Sequence, residues 1–173
     1  MSAGPTPSLA EHLPAMLRFA RSLTRDPVAA DDLVQDAVLR AIERRDRFLP
    51  DRDYRSWLLT ITHNLFIDGW RRDRSRRTTP LDADSPFSRA EPDQDHVVDL
   101  RATLRAFERL PEDQRAVLHL VVVEGSSYVE AAAMLGIPIG TVMSRLSRAR
   151  ETLRRVTTVP AAPPLRLVSD RDV

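Results

Sequence analysis

From residue 9 to residue 157 apolar side chains return every three or four positions, and that rhythm breaks once, over a stretch rich in proline and acid. Such spacing places one apolar stripe along a helix, whereas a half-buried strand needs alternation at period two, which only short apolar runs such as residues 121–123 approach. The fold class expected is all-α: two small helical bundles joined by a flexible acidic linker.

The first bundle is predicted to hold three helices. Residues 8–24 put Leu9, Leu13, Met16, Leu17, Ala20 and Leu23 on one stripe, and residues 28–47 do the same with Leu33, Val34, Ala37, Val38, Ala41 and Ile42. Asp26-Pro27 separates them. Residues 53–77 align Trp57, Leu58, Ile61 and Leu65 after a turn marked by Pro50. Residues 78–96 carry Pro80, Pro86 and Pro92 among small and acidic side chains, too little apolar content to offset the ordering of a backbone. The second bundle, residues 97–157, opens with a helix to Arg109; Leu110-Pro111 then begins a helix that runs to Glu124 and stops at Gly125. Residues 1–8 and 158–173 are expected to be flexible ends.

Composition removes several classes of function. The 173 residues contain no cysteine, which excludes disulfide scaffolds and thiol nucleophiles, and the four histidines are too scattered for metal-ligand spacing. No metal and no cofactor is expected. No apolar run reaches the roughly 18 residues of a membrane span, and the first nine residues lack the features of a signal peptide, so no membrane insertion and a cytoplasmic location are expected. The acidic side chains form no paired constellation, which argues against an enzyme.

A net charge of +1 hides strong patterning. All 26 basic residues are arginine, which coding bias explains more readily than nucleic-acid binding does; bias, however, does not choose where charge clusters. Residues 52–77 hold seven Arg against three Asp, residues 78–97 five acids against one Arg, and residues 138–157 five Arg against one Glu. The order is basic, acidic, basic.

The sharpest local signal is Ser127-Tyr128-Val129-Glu130, a capping box that starts a helix. Gly136 suits the left-handed residue after that helix, and Pro138 opens the next, which buries Val142, Leu146, Ala149 and Leu153, with small Ala132 at the crossing. Short helix, glycine turn, second helix is a helix-turn-helix. Thr141, Ser144, Arg145, Arg148 and Arg155 share the opposite stripe, a face able to contact base edges and phosphates in a major groove. The third helix presents Thr60, His63, Asn64, Ile67, Arg71 and Arg74 away from Trp57 and Ile61. The second helix presents Asp31, Asp32, Gln35, Asp36 and Glu43 away from its own apolar side, either a solvated surface or a docking face for a basic protein.

Taken in order, Asp31-Asp32-Leu33-Val34-Gln35-Asp36, Ser56-Trp57-Leu58, Asn64-Leu65 with Asp68, Leu110-Pro111, Gly140-Thr141-Val142, Ser144-Arg145-Leu146 and Arg148-Ala149-Arg150 resemble the extracytoplasmic-function (ECF) group of bacterial sigma factors over residues 9–157. The resemblance implies a promoter-recognition subunit of RNA polymerase that is not itself an enzyme. Residues 9–77 would form the sigma region 2 domain and residues 97–157 the region 4 domain. Asp32, Gln35 and Asp36 match the family's contact to core RNA polymerase. Leu49, Asp51, Arg52, His63, Asn64, Arg71 and Arg72, in the loop through Tyr54 and the helix after it, match the part that recognises and opens the minus-ten element. Thr141, Ser144, Arg145 and Arg148 match the reader of the minus-thirty-five element. His63 and Tyr54 depart from the side chains commoner in the family at those positions. Promoter DNA, core polymerase and an anti-sigma factor are the implied partners, with the free chain a monomer. The rival reading is a stand-alone helix-turn-helix regulator whose first bundle dimerises.

Overall fold

The computed structural model describes residues 8–76 and 95–157, and among them there is no strand. The expected linker, apart from its last two residues, and both flexible ends lie outside the described residues. Helix α1 (Leu9–Thr24) turns through Arg25 and Asp26 into α2 (Pro27–Glu43). The Asp26 side chain accepts a hydrogen bond from the Val28 amide at 2.8 Å, and Pro27 occupies the first turn, where its missing donor costs nothing. Helix α3 (Tyr54–Arg76) packs across both. Met16, Phe19, Ala20, Leu33, Ala37, Leu58 and Leu59 fill the space between them.

Two residues expected in that core lie outside it. Ile42 is 61% exposed and Leu13 37% exposed. The buried side of α2 runs through Ala30, Leu33, Val34, Ala37 and Ala41; Ile42 is a further 100° round the axis, with exposed Leu39. Helix α2 also ends at Glu43 rather than Arg47. Arg44, Arg45, Asp46 and Arg47 offer nothing to bury, and the chain tightens there into a 3-10 turn, Arg45–Arg47.

The second bundle comprises α4 (Asp95–Arg109), α5 (Glu112–Leu118), α6 (Tyr128–Leu135) and α7 (Ile139–Thr157). Helix α5 does not continue as one α-helix to Glu124: it passes into a π-helical turn, His119–Val123, that leaves Val122 and Val123 exposed. Both halves of the capping box are formed, the Ser127 amide donating to Glu130 Oε2 at 2.7 Å and the Glu130 amide to Ser127 Oγ at 3.2 Å. Gly136 takes φ 64°, the conformation that ends α6, and the Ile137 amide donates to the Ala132 carbonyl. The fully buried small residue of α6 is Ala131; Ala132, one position further round, is half-buried. Val142, Leu146 and Ala149 are buried as expected, with Leu153 at the margin.

The two bundles are not separate bodies on a tether. Helix α1 packs on α5 and on the π-helical turn, and α3 packs on α6. Ala116, Val117, Leu118 and Leu120 are buried almost all round, as a helix between two layers must be.

Candidate nucleic-acid interface

Asp32, Gln35 and Asp36 stand exposed on α2, one turn apart, because the opposite side carries the core-facing Leu33, Val34 and Ala37. Exposed Leu39 and Ile42 lie on the turns beyond them.

The loop into α3 is fixed by rings. Phe48 meets Tyr54 edge-on at 4.9 Å and Trp57 at 5.4 Å, Tyr54 stacks on Trp57 at 5.5 Å, and His12 of α1 closes on Tyr54 at 5.6 Å. Trp57 is thus a packing residue, whereas Trp70 is half exposed. This scaffold leaves Leu49, Asp51 and Arg52 exposed, with the Arg52 amide donating to the Leu49 carbonyl. Asp53 starts α3 by accepting from the Ser56 amide at 2.7 Å. Burial pushes its carboxyl up, but the hydrogen bonds from Ser56 outweigh burial and hold it below the usual range.

Further along α3, Asn64, Arg71 and Arg72 are exposed, and Arg72 Nε reaches back to the Asp68 carbonyl at 3.2 Å. His63 differs. Burial, reinforced by the positive charge of Arg145, lowers its pKa to about 4, so it stays neutral, and its Nδ1 has no hydrogen-bond partner among the described residues. On α7, Ser144 and Arg148 are exposed and Thr141 half-buried; Ser144 Oγ donates to the Thr141 carbonyl at 3.0 Å. Arg145 is held by Asp113 of α5 at 3.0 Å, its side chain 28% exposed. His63, Asn64 and Arg71 of the first bundle and Arg145 of the second line one cleft of about 520 Å³. The structure therefore brings together two groups of residues that the sequence assigns to separate functions.

Periodicity did not single out the polar cluster between the bundles. The Glu124 side chain is 1% exposed and lies between Arg18 of α1, at 3.2 Å, and Arg55 of α3, with His119 Nε2 at 3.2 Å. Burial together with Arg18 and Arg55 lowers the His119 pKa to about 4. Arg115, 2% exposed, donates to the carbonyls of Ser22 at 2.5 Å, Leu110 at 2.6 Å and Leu23 at 2.9 Å. Two of these belong to the last turn of α1, whose carbonyls lack helical partners and present the negative end of the helix dipole. The sequence does carry a signal: His119 interrupts the apolar segment 116–123, four residues after Arg115 and on the same side.

Comparison with known proteins decides among the readings. The Sigma-70 region 2 family matches residues 9–77 and Sigma-70 region 4 matches residues 100–153. The chain is 38% identical over 153 residues to the ECF RNA polymerase sigma factor EcfG of Rhodopseudomonas palustris, covering 87% of this chain and 83% of that one. The chain belongs to the ECF sigma factors. As such it acts in promoter-directed initiation of transcription, in a family of regulatory, non-catalytic proteins. Two solved structures share the fold of this sigma factor. One is the sigma factor RpoE in complex with the anti-sigma factor NepR from Bartonella quintana, with TM-score 0.67 and 34% identity over 88% of this chain and 95% of that one. The other is CnrH in complex with the cytosolic domain of CnrY, with TM-score 0.60 and 31% identity over 85% and 82%. Among the described residues no single helix is long and apolar enough to cross a membrane.

Proposed function

We propose that this sigma factor divides its work between residues 9–77 and residues 97–157, joined by the acidic segment 78–96, and that neither part catalyses a reaction. Asp32, Gln35 and Asp36 dock on core RNA polymerase. Leu49, Asp51 and Arg52, with His63 and Asn64, capture unstacked bases of the minus-ten element while Arg71 and Arg72 hold phosphates; extruding a base costs a few kcal/mol, which a shaped loop on a rigid aromatic scaffold can offset. Thr141, Ser144, Arg145 and Arg148 read the minus-thirty-five element, Arg145 through the guanidinium fork that suits a guanine edge. The observation that carries this reading is the helix-turn-helix with both capping bonds formed and a polar stripe on α7, in the order that follows the acidic face of α2.

An anti-sigma factor is a further expected partner, by likeness to the relative solved with the anti-sigma factor NepR. The free chain is a cytoplasmic monomer that binds no cofactor. Run-off transcription with purified core polymerase on a promoter library tests the reading: defined transcripts should appear only when both proteins are present. Their absence from every template would overturn it.

A further inference from the structure

Among the described residues, one of the side chains assigned to the minus-thirty-five element, Arg145, is tied by an ion pair to another helix. Its Nε donates to Asp113 Oδ2 of α5 at 3.0 Å. Both backbones are fixed. Arg145 precedes Leu146, buried where α7 packs on α5. Asp113 lies in the first turn of α5, where the Pro111 carbonyl accepts from the Gln114 and Arg115 amides. The two residues belong to the second bundle, so the pair travels with the recognition helix.

The other polar residues of the α7 stripe differ. Ser144 turns its hydroxyl onto the Thr141 carbonyl, Arg155 pairs with Glu151 of its own helix, and Arg148 is exposed. The contact to Asp113 uses Nε, which leaves both terminal amino groups of Arg145 as donors on the edge that matches guanine O6 and N7. A partly exposed pair of this kind adds little to stability; its effect is on the freedom of the guanidinium. An unanchored arginine that meets the wrong base can swing onto a phosphate, where it gains affinity and reads no sequence. An anchored one stays at the base edge, and opposite adenine its donors face another donor, the N6 amino group. Anchoring therefore raises the penalty for the wrong sequence more than it raises affinity for the right one.

We infer that Asp113 is a positioning residue for sequence readout: its carboxylate holds Arg145 so that the guanidinium addresses a guanine rather than the DNA backbone. The inference rests on the assignment of Arg145 to the minus-thirty-five element given above. A side chain outside the recognition helix thus sets how strictly that helix reads.

The test is a titration of holoenzyme, assembled from full-length sigma factor and core polymerase, against one promoter and its single-base-pair variants across the minus-thirty-five element. Wild-type sigma factor should prefer guanine at one position by about tenfold or more, and Arg145→Ala should remove that preference. Asp113→Ala should reduce it about fivefold, the effect expected from ordering one long side chain. The variant promoters should be bound at least as tightly as by wild type, because a negative charge near DNA is gone. Asp113→Asn, which keeps an oxygen that accepts from Nε, should retain most of the preference. In the Arg145→Ala background, Asp113→Ala should change no preference further. A preference unchanged in Asp113→Ala, or uniformly weaker binding to every promoter, overturns the positioning role and leaves Arg145 as a reader. A preference untouched by Arg145→Ala overturns the reading itself, and the positioning with it.

Discussion

Two acidic sites in this sigma factor show what burial does to one kind of chemistry. On α2, Asp32 and Asp36 stand in water and make no ion pair among the described residues; after the π-helical turn, the Glu124 carboxylate is sealed between two arginines and a histidine. A carboxylate in water costs the fold nothing and stays available to a partner. A sealed one is committed, because removing its partners strands a charge in a medium that solvates it poorly. Charge count alone does not separate the two; position relative to the apolar stripe does.

The largest effect should come from the sealed site. Arg18→Ala with Arg55→Ala leaves Glu124 enclosed and unpaired, and urea unfolding should show a loss of up to ~3–5 kcal/mol. A loss below ~1 kcal/mol would mean that Glu124 is hydrated in solution, and the contrast with α2 would fail.

Each buried histidine, taken singly, should come next. His63 and His119 are both held near pKa 4, against an ordinary value of 6.5. Between those values the unfolded chain binds more protons than the folded one, so stability should be full above about pH 6.5 and fall as pH drops toward 4. In the acid limit each imidazole accounts for ~3 kcal/mol, at 1.36 kcal/mol per pKa unit. His119→Gln should flatten part of this slope in urea titrations run at several pH values. An unchanged slope would remove His119 from the buried cluster.

Ser127→Ala removes one half of the capping box and should cost ~1 kcal/mol, read as a lower urea midpoint. The smallest change in stability belongs to the exposed face. Asp32, Gln35 and Asp36 all replaced by Ala should shift unfolding by no more than ~0.5 kcal/mol. The same variant should lose most of its affinity for core polymerase in a titration. Retained affinity would move the docking surface elsewhere.

Elements with local causes were legible in the sequence. The Ser127 to Glu130 box and the left-handed Gly136 each act within four residues and stand where the spacing put them, and the Asp26-Pro27 pair read as a separator starts α2 one residue early. Features that need a second element were not. Ile42 fits the apolar period of α2 yet faces out, because the period does not say how wide a stripe the neighbours cover. Arg115 and Glu124 look like ordinary surface charges until α1 and α3 close over them; their partners Ser22, Leu23, Arg18 and Arg55 all belong to helices far earlier in the chain. The residues assigned to DNA are placed on exposed loops and helix faces except His63, Thr141 and Arg145, which are partly covered, with His63 and Arg145 lining one cleft between the bundles.

The most direct test of the central claim is permanganate reactivity of unpaired thymines on a promoter, with and without core polymerase. Opening is expected only when sigma factor and core are both present, with less opening for Asn64→Ala, whose closed-complex binding should change little. A dimer of the free chain that protects a palindromic site and leaves it paired, with no effect of added core, would instead make the chain an operator-binding regulator.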